Sequence, residues 1–169
     1  RRHRGLEGGQ SRDAPAHRQV TELLVELVPQ SSWGSNLRKE LPKKEWDRLR
    51  RAQYALAGHV CEVCGGKGRR HPVECHEIWS YNDDTHIQTL DGLIALCPRC
   101  HEVKHIGLAG VRGRILEAKR HLAKVNGWTL DQTIHHIAEA FALWNLRSRH
   151  PWTLDLSWLT RGSEESRGE

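Results

Sequence analysis

Apolar residues recur at two different periods along the chain, and the change between them divides it. From Gln19 to Val28, Val20, Leu23, Leu24 and Leu27 stand at helical spacing, and Pro29 cannot continue a helix. That spacing predicts a helix over the segment. The next stretch, Ser31 to Ala57, carries Trp33, Leu37, Leu41, Trp46, Leu49 and Leu56, with Pro42 suited to a first helical turn. It reads as a helix running up to Gly58. Val73 to Trp79 and Ile87 to Leu96 read as two strands, joined through the Asn- and Asp-bearing turn from Tyr81 to Thr85. A helix then starts near Pro98.

Further along, Ile115, Leu116, Leu122 and Val125 share one face of a predicted helix from Val111 to Val125, with Asn126-Gly127 as its stop. Thr129 and Gln132 form a capping-box pattern for a second helix, whose apolar face is Leu130, Ile134, Ile137, Phe141 and Leu143 to Leu146. After Pro151, Trp152, Leu154, Leu156, Trp158 and Leu159 predict a short strand or extended clamp. Gly162 to Glu169 reads as a polar tail. The fold class is α+β, mainly helical.

Charge adds a partner class. The 169 residues hold 26 Lys and Arg against 21 Asp and Glu, a net charge of +5, so anions such as nucleic-acid phosphates are favoured. Residues Arg1 to Arg18 hold five arginines and almost nothing apolar, the composition of a flexible basic arm. Seven basic residues against three acids lie between Arg38 and Arg51, so Arg38, Lys39, Lys43, Lys44 and Arg48 are candidate phosphate contacts. The stretches Leu93 to Leu96 and Ile134 to Leu146 are shorter than the roughly 20 apolar residues of a membrane span, and no membrane partner is expected. No apolar signal-peptide core follows the N-terminus, and cysteines paired as Cys-x-x-Cys suggest metal binding in a reducing cytoplasm. The chain begins at Arg1 and has no methionine, which fits a fragment or a chain without its true start.

Cys61-Glu62-Val63-Cys64 and Cys97-Pro98-Arg99-Cys100 are two knuckles whose sulfurs can point at one ion. Four thiolates favour zinc and leave no open coordination position, so the expected zinc is structural and clips residue 61 to residue 100. The fifth cysteine, Cys75, lies between the knuckles. It stands in Glu74-Cys75-His76-Glu77, and His101 and His105 follow the second knuckle in Cys-His-Glu-Val-Lys-His. On a helix, residues four apart share one face, so His101 and His105 have metal-ligand spacing. His135 and His136 have no such neighbours and read as structural.

The order knuckle, strand, turn, strand, knuckle, helix over Cys61 to His105 resembles the HNH, or ββα-metal, endonuclease family. The likeness is to its zinc-ribbon subgroup, with Cys-x-x-Cys pairs and His76-Glu77-x-Trp79-x-Tyr81. The resemblance implies a zinc-stapled HNH module at 58–108; composition and apolar spacing divide the rest into a flexible arm at 1–18, a helical region at 19–57, a helical region with the clamp at 109–160 and a tail at 161–169. The resemblance also implies hydrolysis of DNA, or RNA, to a 5′-phosphate and a 3′-hydroxyl, with one divalent ion (Mg²⁺, Mn²⁺, Ni²⁺ or Zn²⁺) at the scissile phosphate and a base for the attacking water. Lys104 is a further candidate phosphate contact.

The chain departs from the family pattern at two places. Where the family has its Asn, this chain reads Asp91-Gly92-Leu93; Asp91, Asn82, Asp83 and His86 are the candidate substitutes. At the ligand-plus-base pair two registers exist. Either Cys75 is ligand and His76 base, or His76 is ligand and Glu77 base. The second fits better, since a thiolate suits Mg²⁺ or Mn²⁺ poorly and Cys75 suits a small buried position. The expected ligands of the catalytic ion are then His76, His101 and His105. The alternative function is a zinc-ribbon nucleic-acid-binding module without catalysis, made credible by these departures.

Overall fold

A computed structural model describes residues 22–165. The expected arm at 1–18, the first residues of the predicted N-terminal helix and the end of the tail lie outside the described residues. Four helical elements flank the strands on the C-terminal side of the hairpin: α3 (Pro98–Lys104), α4 (Ile106–Val111), α5 (Ile115–Asn126) and α6 (Leu130–Arg147). Before the hairpin come α1 (Leu37–Glu40) and α2 (Lys43–Leu56), and after α6 come β3 (Thr153–Asp155) and α7 (Trp158–Glu165). No helix among the described residues is long and apolar enough to cross a membrane.

The sheet has the order β1-β2-β3, where β1 (Glu74–Asn82) and β2 (Ile87–Leu96) form an antiparallel hairpin and β3 adds in parallel to the start of β2. The turn sits where the Asn/Asp cluster places it. Asn82 Oδ1 accepts the amide hydrogens of Asp84 and Thr85 at 3.1 and 3.0 Å, an Asx-type brace. The register shifts between Ile78 and Trp79, opposite Gly92 and Leu90, so Asp91 is the extra residue of a β-bulge.

Two larger cores cover the two faces of the hairpin, with a smaller cluster of Ala57, Val73 and Ala95 beside them. On one, Ile78, Ile94 and Leu96 pack with Val103 and Ile106, with Leu122 of α5 and with Ile137 of α6. On the other, Leu90 and Leu93 pack with Leu37, Trp46 and Leu49 of the N-terminal helices and with Trp158 of α7. Alternation along β1 assigns its side chains: Ile78 belongs to the first core, Cys75 and Trp79 to the second. Burying a Leu or Ile side chain contributes about 1.5–3 kcal/mol, so this alternation fixes the register.

Several predicted helices are interrupted, each for a local reason. Leu41 is extended (φ −104°, ψ 149°), as a residue before proline tends to be, so Pro42 caps α2 rather than sitting inside it. Gly113, at φ +70°, takes a left-handed turn that parts α4 from α5. The Asn126-Gly127 stop and the Thr129/Gln132 capping box occur as read, with Gly127 at φ +66°. Trp152 to Leu159 yields β3 and then enters α7, which runs into the expected tail.

The helix expected up to Val28 is absent from its described part. Residues 22–29 form no regular element, and over residues 22–25 burial alternates, with Leu23 and Val25 buried and Leu24 exposed. Side chains from distant helices take the backbone bonds a helix would have used. Asn126 accepts from Leu23 N and donates to Leu23 O, both at 2.8 Å, while His136 Nε2 accepts from Val25 N at 2.9 Å. We expect Asn126→Ala to lower unfolding free energy by about 2 kcal/mol, the scale of two lost bonds to buried backbone, without changing metal content. A denaturant titration showing less than about 0.5 kcal/mol of change would contradict this anchoring role.

Candidate functional site

The first knuckle is formed by a tight loop in which Cys61 N donates to Gly66 O and Gly65 N donates to Cys61 O, each at 2.9 Å. Glu62 pins it to the end of β2: its N–H donates to Ala95 O at 2.9 Å, and its Oε2 accepts from Ala95 N at 2.6 Å and from Gln53 Nε2 at 2.8 Å. The second knuckle is the start of α3, with Cys97 as N-cap and Pro98 at the first helical position. The sulfurs of Cys61, Cys64, Cys97 and Cys100 all lie within 4.8 Å of one another.

Cys64 Sγ and Cys97 Sγ are 3.7 Å apart. An ion bound tetrahedrally at about 2.3 Å from each sulfur separates the sulfurs by about 3.8 Å, so this edge fits zinc. The thiols also constrain each other's protons. Contacts from Cys100 and Cys97 hold Cys61 well below the usual thiol range, while Cys61 is the main influence pushing Cys100 far up. Cys97 is drawn down by Cys100 but raised further by Cys61 and by burial, and ends at about 11. A second negative sulfur is disfavoured beside the first, a repulsion that a divalent cation offsets. The four cysteines could therefore bind a metal ion such as zinc. His121 Nε2, from α5, lies 3.2 Å from Cys100 Sγ, where such an outer contact steadies a ligand. No spacing in the sequence pointed to it.

On the first-core face, His76 of β1 meets His101 of α3 and His105, the residue between α3 and α4. One ring nitrogen from each lies within 4.8 Å of the other two. The rings meet edge-on, with centroids 5.3 Å (His76–His101), 5.1 Å (His76–His105) and 4.7 Å (His101–His105) apart. His101 Nε2 and His105 Nε2 are 3.2 Å apart, close to the roughly 3.3 Å between two nitrogens on one tetrahedral ion at about 2.0–2.1 Å. Burial first, then the charges of His105 and His101, holds His76 well below the usual imidazole range. The packed surroundings and His101 hold His105 at about 4, although part of that side chain is open to solvent. Neutral imidazoles are the form that binds metal.

Glu74, two residues before His76 and so on the same face of β1, contacts His101 Nδ1 through Oε2 and His71 Nε2, at 2.5 Å, through Oε1. Burial pushes its carboxyl up, but the bonds to His71 and His101 outweigh this and hold it below the ordinary range. A carboxylate on Nδ1 fixes the ring so that Nε2 is free for a metal. Sequence reasoning passed over Glu74, although alternation from His76 would have marked it.

Two expected residues are elsewhere. Glu77 is not beside the cluster: strand alternation turns it to the opposite face, where Oε1 accepts from Leu37 N at 2.8 Å and Trp79 adds a second bond. Burial raises its carboxyl. Cys75 is on that face too, its thiol pushed up to about 12 by burial and by the Glu77 charge. Lys104 is not available to a phosphate, because it is 5% exposed and its ammonium donates to Glu26 Oε1 at 2.7 Å. It lies on the inward side of α3 with Cys100 and Val103.

Arg38 and Lys43 line a cleft of about 710 Å³ together with Glu74 and His101. Lys44 and Arg48 line a neighbouring cavity along α2, which Lys43 also lines, and Lys39 lines neither. Of the candidate substitutes for the family Asn, Asn82 braces the hairpin turn and Asp83 is held at 2.8 Å by Arg147. Asp91 is the bulge residue, and His86 stacks on His150 with centroids 4.2 Å apart.

Set against known proteins, the chain matches no family model, no curated protein and no solved structure. We expect Cys64→Ser and Cys97→Ser to lose one equivalent of zinc and the cooperative melting transition, since such sites supply on the order of 10 kcal/mol. Cys75→Ser should keep both. Metal analysis with circular dichroism checks this; a Cys64→Ser protein with full zinc and native melting would contradict the tetrad.

Proposed function

We propose that this chain is a metal-dependent endonuclease of the HNH kind, hydrolysing phosphodiester bonds in DNA, with a structural zinc on its four cysteines. The observation that carries the reading is the convergence of His76 from β1 with His101 from α3 and His105 at its C-terminal cap. The strand hairpin and helix that carry them are tied together by the cysteine tetrad, the order of parts on which the resemblance rests.

His76, His101 and His105 would hold one divalent ion, which when bound supplies Lewis-acid stabilisation of charge on the phosphate and the leaving oxygen. Three protein ligands leave positions open to substrate, unlike the closed cysteine set. Glu74 orients His101, and Arg38 and Lys43 offer positive charge in the adjoining cleft. Glu77 has no part in proton transfer on this reading, because its carboxylate is spent on Leu37 and Trp79 across the sheet. That orientation favours the second reading, a nucleic-acid-binding ribbon without catalysis, to the extent that no other base serves.

Purified protein incubated with plasmid and with single-stranded DNA under Mg²⁺, Mn²⁺, Ni²⁺ and Zn²⁺ separates the two. We expect cleavage with at least one metal, and its loss in His101→Ala and His105→Ala by on the order of a hundredfold or more, with the cysteine-bound zinc retained. Glu77→Gln should cleave within about threefold of wild type, since it removes no group from the site. DNA binding without cleavage under every metal would leave the ribbon reading standing; normal cleavage by either histidine variant would remove that residue from the ligand set.

A further inference from the structure

The cluster stands at the junction of two clefts rather than at the end of one. The first, of about 710 Å³, runs from Glu74 and His101 toward α1 and α2 and reaches Arg38. The second, of about 460 Å³, runs from the same Glu74 and His101 past His105 toward α4 and reaches Arg112. Charges within these clefts are unequally available. Lys43 and Arg50 are both tied to Asp47, at 3.0 and 2.8 Å. Arg38 and Arg112 are exposed and have no carboxylate partner among the described residues. Each cleft thus presents one free guanidinium, a group suited to bidentate contact with a phosphate.

We propose that one nucleic-acid strand crosses the histidine cluster along both clefts, with Arg38 binding a backbone phosphate on one side of the cluster and Arg112 a phosphate on the other. This deepens the nuclease reading and rests on it for what happens between the two contacts. A strand held on both sides is fixed in position over the cluster, whereas one contact leaves it free to pivot. Neither arginine reads a base, so the track is indifferent to sequence.

The test is binding, measured by fluorescence anisotropy with labelled single-stranded DNA, duplex DNA and single-stranded RNA of one sequence, on protein carrying His105→Ala so that the probe stays intact. Arg38→Gln and Arg112→Gln are compared with Arg149→Gln, which removes the same charge at an exposed position outside both clefts. Native melting and zinc content are checked for each.

Expected are severalfold weaker binding for Arg38→Gln and for Arg112→Gln, each with a log K against log salt slope shallower by about 1, additive in the double variant. Arg149→Gln should bind as the parent does. The three probes identify which nucleic acid the track takes. An unchanged Arg112→Gln, an Arg149→Gln as weak as the others, or no binding to any probe overturns the track. The nuclease reading fails separately, if the unmutated protein shows this binding pattern and cuts nothing.

Discussion

The convergence of four cysteine sulfurs within 4.8 Å of one another, a set that could bind a metal ion such as zinc, is the constraint on which the remaining structure hangs. Cys61 and Cys64 stand in a loop between α2 and β1 that has no strand or helix of its own, held by turns and by Glu62. Cys97 and Cys100 stand in the first turn of α3, where the helix dipole favours negative charge. Joining the pairs fixes the start of α3 against the end of β2. Because His101 is the residue after Cys100, the position of one metal set determines that of the other. His121 extends the same constraint to α5. One interaction therefore links the local geometry of the knuckles, the packing of α3 and the assembly of the histidines.

The two clusters sit close in sequence but differ in chemistry. The cysteine set is mostly buried and complete, as a structural site requires. The histidine set grades from buried His76 to exposed His105, opens onto two clefts and is braced from outside by Glu74. A closed set and an open set thereby stand side by side on the same hairpin and helix.

Much of this was legible in the sequence because it depends on local rules. The bounds of β2, the proline at the start of α3, the Thr129/Gln132 box and the Gly127 stop follow from residue type within a few positions. The cysteine spacing and the His101/His105 interval carry their own geometry. What was misread depends on partners far along the chain or on which side of an element a residue faces. Leu23 and Val25 take their backbone partners from residues 103 and 111 positions away, which no periodicity in the segment could show. Glu77 was given the base place by a choice of register that rested on how poorly a Cys75 thiolate suits Mg²⁺ or Mn²⁺, but adjacent residues on a strand point to opposite faces, and Glu77 is turned to Leu37. The same rule names Glu74 in its place. Lys104 was read as a surface cation, and an ion pair with Glu26 let it turn inward.

The central claim is that the chain carries two metal sites of different kind, closed at the cysteines and open at the histidines. Anomalous diffraction at the zinc and nickel edges, from crystals grown with both metals, tests it most directly. The account predicts a zinc peak about 2.3 Å from each of the four sulfurs, and a second ion ligated at about 2.0–2.1 Å by His76, His101 and His105 with positions left to solvent. A single zinc peak, with the three imidazoles free of metal in crystals saturated with both ions, would contradict it.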